Sequence, residues 1–211
     1  MLRITEIFYS LQGESTTMGF PTVFIRLTGC PLRCGYCDTE YAFTGGNKMS
    51  IDEVLEKVAR FAPRYVCVTG GEPLAQKNAW PLMQRLCNAG YHVSIETSGA
   101  ITLENIDPRV MIVMDLKTPG SGEVSRNLMS NIPLLKKTDQ IKFVLTNRDD
   151  YLWAKKMIED HALDTRCQLL FSPSYEQLQP KVLAEWIIED NLPVRFQMQL
   201  HKVIWGEMRG V

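Results

Sequence analysis

Apolar and polar residues alternate from Met1 to Glu14, with Arg3 and Glu6 among the polar positions. This period of two predicts a strand with one buried face. Beyond it the pattern changes: short β-rich runs separated by amphipathic stretches recur along the chain, the signature of βα units around a parallel sheet. Strands are predicted at Thr22 to Thr28, Tyr65 to Thr69, Tyr91 to Thr97, Val110 to Leu116, Gln140 to Leu145, Gln168 to Ser172 and Val194 to Leu200. Several are uninterrupted apolar runs, as parallel strands covered on both faces require.

The intervening helices carry start and stop signals. Ser50 with Glu53 makes a capping-box pattern ahead of Val54, Leu55, Val58 and Phe61, and Asn147 with Asp150 does the same before Trp153, Met157 and Ile158. Pro81 sits where a first turn tolerates proline, Gly90 stands as a C-terminal cap, and Pro180 opens a helix through Leu183, Trp186 and Ile187. Seven short strands with helices among them predict an α/β fold, a partial or modified (β/α) TIM-like barrel in one domain over residues 1–211.

The unusual short sequences follow the predicted strands. GCPLRCGYCDT comes after the first βα strand, GGEP after the second, ETSG after the third, DLKTPGSG after the fourth and SPS after the sixth. Parallel α/β folds bind ligands at the C-terminal ends of their strands, where loops and helix N-termini converge. The candidate site is therefore on that face.

Composition narrows the chemistry. A chain of 211 residues, 45% hydrophobic and 22% charged, suits one core, and a net charge of -1 gives no concentrated basic surface for nucleic acid or an anionic membrane. No apolar run approaches membrane-spanning length, and the N-terminal stretch lacks a signal-peptide core. The expectation is a cytoplasmic protein acting on a small molecule. Six cysteines then point to thiols used in chemistry or packing, since cytosolic disulfides are rare.

Cys30, Cys34 and Cys37 form the spacing CxxxCxxC on a loop with Gly29, Pro31 and Gly35. A structural zinc site takes four protein ligands, and neither a second CxxC nor a neighbouring histidine completes one. A 4Fe-4S cubane held by three cysteines leaves one iron open to a ligand, which implies chemistry beyond electron transfer. Cys67, Cys87 and Cys167 lie in apolar contexts and read as small buried hydrophobes.

CxxxCxxC with an aromatic residue, Tyr36, just before the third cysteine resembles the radical S-adenosylmethionine superfamily. The resemblance implies that S-adenosylmethionine chelates the open iron and is cleaved to a 5'-deoxyadenosyl radical, with Cys30, Cys34 and Cys37 as the catalytic cluster ligands. Gly71 and Glu72 of GGEP are then expected at the methionyl ammonium, and Tyr36, Cys37 and Asp38 beside the cofactor. Ser98, Asp115, Leu116 and Lys117 offer groups for the ribose and methionyl carboxylate, and Phe171, Ser172, Pro173 and Ser174 flank the adenine.

LQGE near the start, Arg26, GCPLRCGYCDT, TGGEP, ETSG, the QxHK stretch and the WGxxRGV end resemble the 7-carboxy-7-deazaguanine synthase family over nearly the whole chain. That resemblance implies a carbon–nitrogen lyase of queuosine biosynthesis. Its reaction converts 6-carboxy-5,6,7,8-tetrahydropterin to 7-carboxy-7-deazaguanine with loss of ammonia, beginning with hydrogen abstraction from C6 and regenerating S-adenosylmethionine. Leu11, Gln12, Gly13 and Glu14, with Arg26, Thr69, His201 and Val211, are expected to hold the substrate. Thr39 is expected to ligate Mg2+; an electron donor such as flavodoxin and a homodimeric state are expected as well. Arg26 also needs an anionic partner inside its strand, with Glu14 and Glu72 as candidates. Ser15 departs from the family, which usually has glycine there. The rival reading is an activase that installs a glycyl radical on a partner protein.

Overall fold

A computed structural model describes residues 1–211. The chain opens with strand β1 (Leu2–Leu11), returns beside it as β2 (Pro21–Leu27), and after the cysteine loop forms β3 (Asn47–Met49) and helix α1 (Ile51–Ala59). There follow β4 (Tyr65–Gly70), α2 (Ala79–Asn88), β5 (His92–Thr97), β6 (Met111–Asp115), β7 (Gln140–Leu145) and α3 (Arg148–His161). The last elements are β8 (Gln168–Pro173), α4 (Pro180–Glu189), β9 (Arg195–Phe196) and α5 (Leu200–Trp205). Turns and short 3-10 segments, without an α-helix, join β5 to β6 and β6 to β7.

All the strands form one sheet in the order β3-β1-β2-β4-β5-β6-β7-β8-β9. From β2 through β9 the neighbours are parallel, while β1 joins β2, and β3 joins β1, in antiparallel fashion. The sheet ends at β3 and at β9, so the barrel is partial and open.

The caps explain where the helices start. The Ser50 side chain accepts from the Glu53 N–H and the Glu53 carboxylate accepts from the Ser50 N–H, a complete capping box, and the Asn147 side chain accepts from the Asp150 N–H. Pro180 stands in the first turn of α4, where its missing N–H has no intrahelical partner to lose. The helices pack their apolar faces on the sheet to make one contiguous core that runs from Leu2 to Ile187, so distant parts of the chain close over a single interior. Cys87 and Cys167 belong to it, and Cys67 is fully buried as well.

The predicted last strand is mostly not one. Only Arg195 and Phe196 pair with β8, and Leu200 already starts α5. Gln197 turns inward instead, accepting from the Ser15 N–H at 3.0 Å, and the Leu200 N–H donates to the Gly13 carbonyl at 3.0 Å. The polar alternation there serves the loop after β1 and not a sheet face. The three-residue β3 is too short to announce itself by periodicity.

Candidate active site

Because the strands from β2 onward run parallel, their C-terminal ends open on one cavity of about 490 Å³, lined by residues from the loops after β1, β2, β4, β5, β6 and β8 and by the C-terminal segment. The cysteine loop forms one wall. It is held by main-chain bonds from the Gly29 N–H to the Ala42 carbonyl at 2.7 Å and from the Gly35 N–H to the Ser121 carbonyl at 3.0 Å, and the Arg33 N–H donates to Glu123 at 2.6 Å. Cys30, Cys34 and Cys37 are each partly exposed and all line the cavity.

Burial, and then the repulsion of neighbouring carboxylates and of one another, pushes the three thiols above their ordinary range. All three line one cavity, yet no three His, Cys, Asp or Glu side chains are gathered tightly enough to hold a single ion. Three soft donors spread along one rim suit a cluster in which each binds a different iron. Two further features fit the group. The Tyr36 hydroxyl is buried without a partner at the cavity wall, and burial lifts it to about 12. Gly71 passes so near the cysteine loop that a side-chain carbon there would run into the Gly29 carbonyl and the Cys30 Cβ.

Much of the remaining lining is charged. Arg26 donates through Nε to Glu6 at 2.7 Å, and the Tyr41 hydroxyl donates to the same carboxylate at 2.8 Å. Its partner is thus Glu6, directly across the β1–β2 pair, and neither Glu14 nor Glu72. Deeper in, Asp115 receives Lys117 at 2.7 Å and Lys142 at 3.2 Å, and Lys142 also pairs with Glu14. Burial opposes the ionised forms of Asp115, Lys117 and Lys142, but the facing charges win: Asp115 is held below the usual carboxylate range and both ammonium groups are raised.

The loop after β1 supplies the floor. Gln12 donates to Glu96 at 3.3 Å, and the Thr69 hydroxyl donates to the other Glu96 oxygen at 3.0 Å. Gly13 lies against the His201 imidazole at a separation that leaves no room for a Cβ. Ser15, where the resembling family carries glycine, adopts φ 70, a left-handed conformation that glycine reaches without strain. The C-terminal segment completes the enclosure through Lys202 on Asp38 at 3.2 Å and Gln199 on Glu14 at 2.9 Å, with Val211 at the wall.

A family model for the Radical SAM superfamily matches residues 24–114. A 7-carboxy-7-deazaguanine synthase of Chlorobaculum tepidum is 45% identical over all of this chain and 97% of its own length, and one of Koribacter versatilis is 43% identical over the whole of both. The chain belongs to the 7-carboxy-7-deazaguanine synthase family. The crystal structure of QueE from Escherichia coli is similar at 25% identity and a TM-score of 0.77, covering 95% of this chain and 94% of that one. The activase reading finds no support among these relatives.

Set against this synthase fold, the sequence-derived residues divide. Leu11, Gln12, Gly13, Glu14, Arg26, Thr69, His201 and Val211 all line the cavity, as do Thr39, Tyr36, Asp38, Gly71, Ser98, Asp115, Lys117 and Ser174. Glu72, Leu116, Phe171, Ser172 and Pro173 are buried and do not line it. Glu72 braces the wall from behind, accepting from the Leu74 N–H at 2.9 Å, the Thr97 hydroxyl at 2.9 Å, and the Ser98 N–H and hydroxyl at 2.6 Å each. Phe171 packs edge-on against Phe143 and Tyr151 in the core. Glu96 of ETSG and Gln199 and Lys202 of the QxHK stretch line the cavity too, whereas Glu6, Tyr41 and Lys142 are cavity or supporting groups that sequence reasoning did not select.

Proposed function

We propose that this chain, as one domain over residues 1–211, converts 6-carboxy-5,6,7,8-tetrahydropterin to 7-carboxy-7-deazaguanine with loss of ammonia. The observation that carries the reading is the meeting of the three-cysteine loop, Arg26 and the LQGE loop on one cavity. When bound, the reduced 4Fe-4S cluster and S-adenosylmethionine supply the radical that starts the reaction. Cys30, Cys34 and Cys37 hold the cluster, while Gly71, Ser98, Asp115 and Lys117 orient the cofactor from the strand ends. Arg26 binds the substrate carboxylate: Glu6 engages only its Nε, which leaves the paired terminal N–H groups for a carboxylate fork. Gln12, Gly13, Thr69 and His201 bound the heterocycle, and Glu14 lies beneath it.

Thr39, whose hydroxyl donates to Asp38 at 2.7 Å, supplies an oxygen for Mg2+ shared with the substrate carboxylate. The partly exposed cysteine rim is open to a small electron donor such as flavodoxin, and the family resemblance supports a homodimer. No helix is long and apolar enough to cross a membrane. A reducing cytoplasm suits free thiols that must hold an oxygen-sensitive cluster.

Anaerobic incubation of the reconstituted protein with S-adenosylmethionine, reductant, Mg2+ and the carboxytetrahydropterin should yield the deazaguanine and ammonia in equal amounts. Formation of 5'-deoxyadenosine without deazaguanine would retain the radical chemistry and remove the substrate assignment. In the same assay Arg26→Ala should weaken substrate binding by about 1.5 to 3 kcal/mol, the worth of a charge-assisted hydrogen bond, while leaving cofactor cleavage in place. An unchanged KM for the pterin would remove Arg26 from the substrate site.

A further inference from the structure

Lys142 stands at the middle of β7, between Ile141 and Phe143, and its side chain turns inward to the cavity. Its ammonium reaches two carboxylates that belong to different parts of the site: Glu14, on the loop after β1, and Asp115, at the end of β6 and its direct neighbour in the sheet. Asp115 gives its other oxygen to Lys117, and Glu14 gives its other oxygen to the Gln199 amide. The result is a neutral quartet of two acids and two bases that spans the loop after β1, β6 and β7. Buried ion groups of this kind can commonly be replaced by apolar side chains with no loss of stability, so folding alone does not account for it.

The neighbouring contacts indicate what the quartet does. Gln140, two residues before Lys142 on the same face of β7, accepts from the Thr16 N–H at 3.0 Å, and Gln197 accepts from the Ser15 N–H at 3.0 Å. The loop from Gln12 to Thr17 is thereby laid across β7, with Lys142 as the one charged tie between it and the β6 end. We propose that Lys142 is a positioning residue that locks the substrate loop to the cofactor strand and so fixes the distance over which hydrogen passes between substrate and cofactor. This rests on reading Glu14 as a substrate group and Asp115 as a cofactor group.

The two sides depend on Lys142 unequally. Without it Asp115 keeps its full charge partner in Lys117, whereas Glu14 keeps only the neutral Gln199. Loss of Lys142 therefore releases the substrate side and leaves the cofactor side held. A displacement of about 1 Å between reacting groups costs on the order of a hundredfold in transfer.

The test uses reconstituted full-length protein and pterin deuterated at C6. In the unsubstituted enzyme, deuterium should appear in the regenerated S-adenosylmethionine. In Lys142→Met, deazaguanine formation should fall about a hundredfold, deuterium in S-adenosylmethionine should fall with it, and unlabelled 5'-deoxyadenosine should accumulate because the radical is quenched elsewhere. Lys142→Arg should recover part of the labelling, since it restores the charge between the two acids. A general loss of structure would reduce deazaguanine and labelled S-adenosylmethionine together without any rise in unlabelled 5'-deoxyadenosine, and that result, or no change in any of the three, overturns the role. Should Lys142→Met fail to fold, Lys142→Gln, which keeps a hydrogen-bond donor between Glu14 and Asp115 but not the charge, carries the same expectation. If the unsubstituted enzyme itself makes 5'-deoxyadenosine but no deazaguanine, the substrate reading fails and the positioning role goes with it.

Discussion

Cys34→Ala should leave the chain folded but unable to hold a complete cluster, and cleavage of S-adenosylmethionine should drop to the level of the protein-free control. Cys34 is partly exposed at the cavity rim and packs no core, so its removal opens no buried void. The loss falls on the donor set. Two remaining thiolates cannot hold a cubane that also presents one iron to a cofactor. The other cysteines offer no substitute: Cys67, Cys87 and Cys167 are buried away from the rim, and burial, reinforced by the nearby Glu96 carboxylate, pushes the Cys67 thiol far above its ordinary range. A thiol that stays protonated is a poor ligand for iron. Iron and sulfide per chain after anaerobic reconstitution, together with the yield of 5'-deoxyadenosine, check this. A variant that loads about four irons and cleaves the cofactor normally would remove Cys34 from the site.

How much of this was legible in the sequence depends on which physical signal each residue carries. The parallel strands were readable because apolar runs such as Tyr65 to Thr69 must be buried on both faces, and the helix starts because Ser50 and Asn147 cap them in the way their spacing implies. The face that carries the site followed from where CxxxCxxC, GGEP and ETSG stand relative to those strands. What one dimension conceals is direction. Ser174, just past the end of β8, reaches the cavity, while Phe171, Ser172 and Pro173, still within the strand, are buried short of it.

Partners across a register are equally hidden. Glu6 meets Arg26 because β1 is antiparallel to β2 in one particular alignment, and no local pattern gives that alignment. Lys142 is a different case. A lysine inside QIKFVL needs a buried anion for the same reason that Arg26 does, so the argument applied to Arg26 would have found it. The departure at Ser15 also acquires a cause, since its left-handed backbone is the conformation for which glycine is the relaxed choice.

Glu72→Ala should destabilise the protein by about 2 to 6 kcal/mol, from about 1 to 3 kcal/mol for each of two buried N–H groups left without an acceptor. Those groups belong to Leu74 and Ser98, and Glu72 itself is fully buried, so water cannot replace the lost oxygen atoms without opening the wall. The hydroxyls of Thr97 and Ser98 can rotate to other acceptors, which is why they are left out of the sum. Glu72→Gln keeps one acceptor but turns an amide donor toward other donors, so its loss should be smaller, about 1 to 3 kcal/mol. Denaturant unfolding of the reconstituted variants measures both. The Glu72 main chain separately donates to the Gly29 carbonyl at 2.8 Å, beside Cys30, so slackening this wall should also loosen the cysteine loop and lower cluster occupancy in step with stability. A Glu72 side chain that acted only on the cofactor would give the opposite division, weaker cofactor binding at full stability. An alanine variant with an unchanged unfolding midpoint would therefore put the carboxylate back in the cavity and overturn its role as a brace.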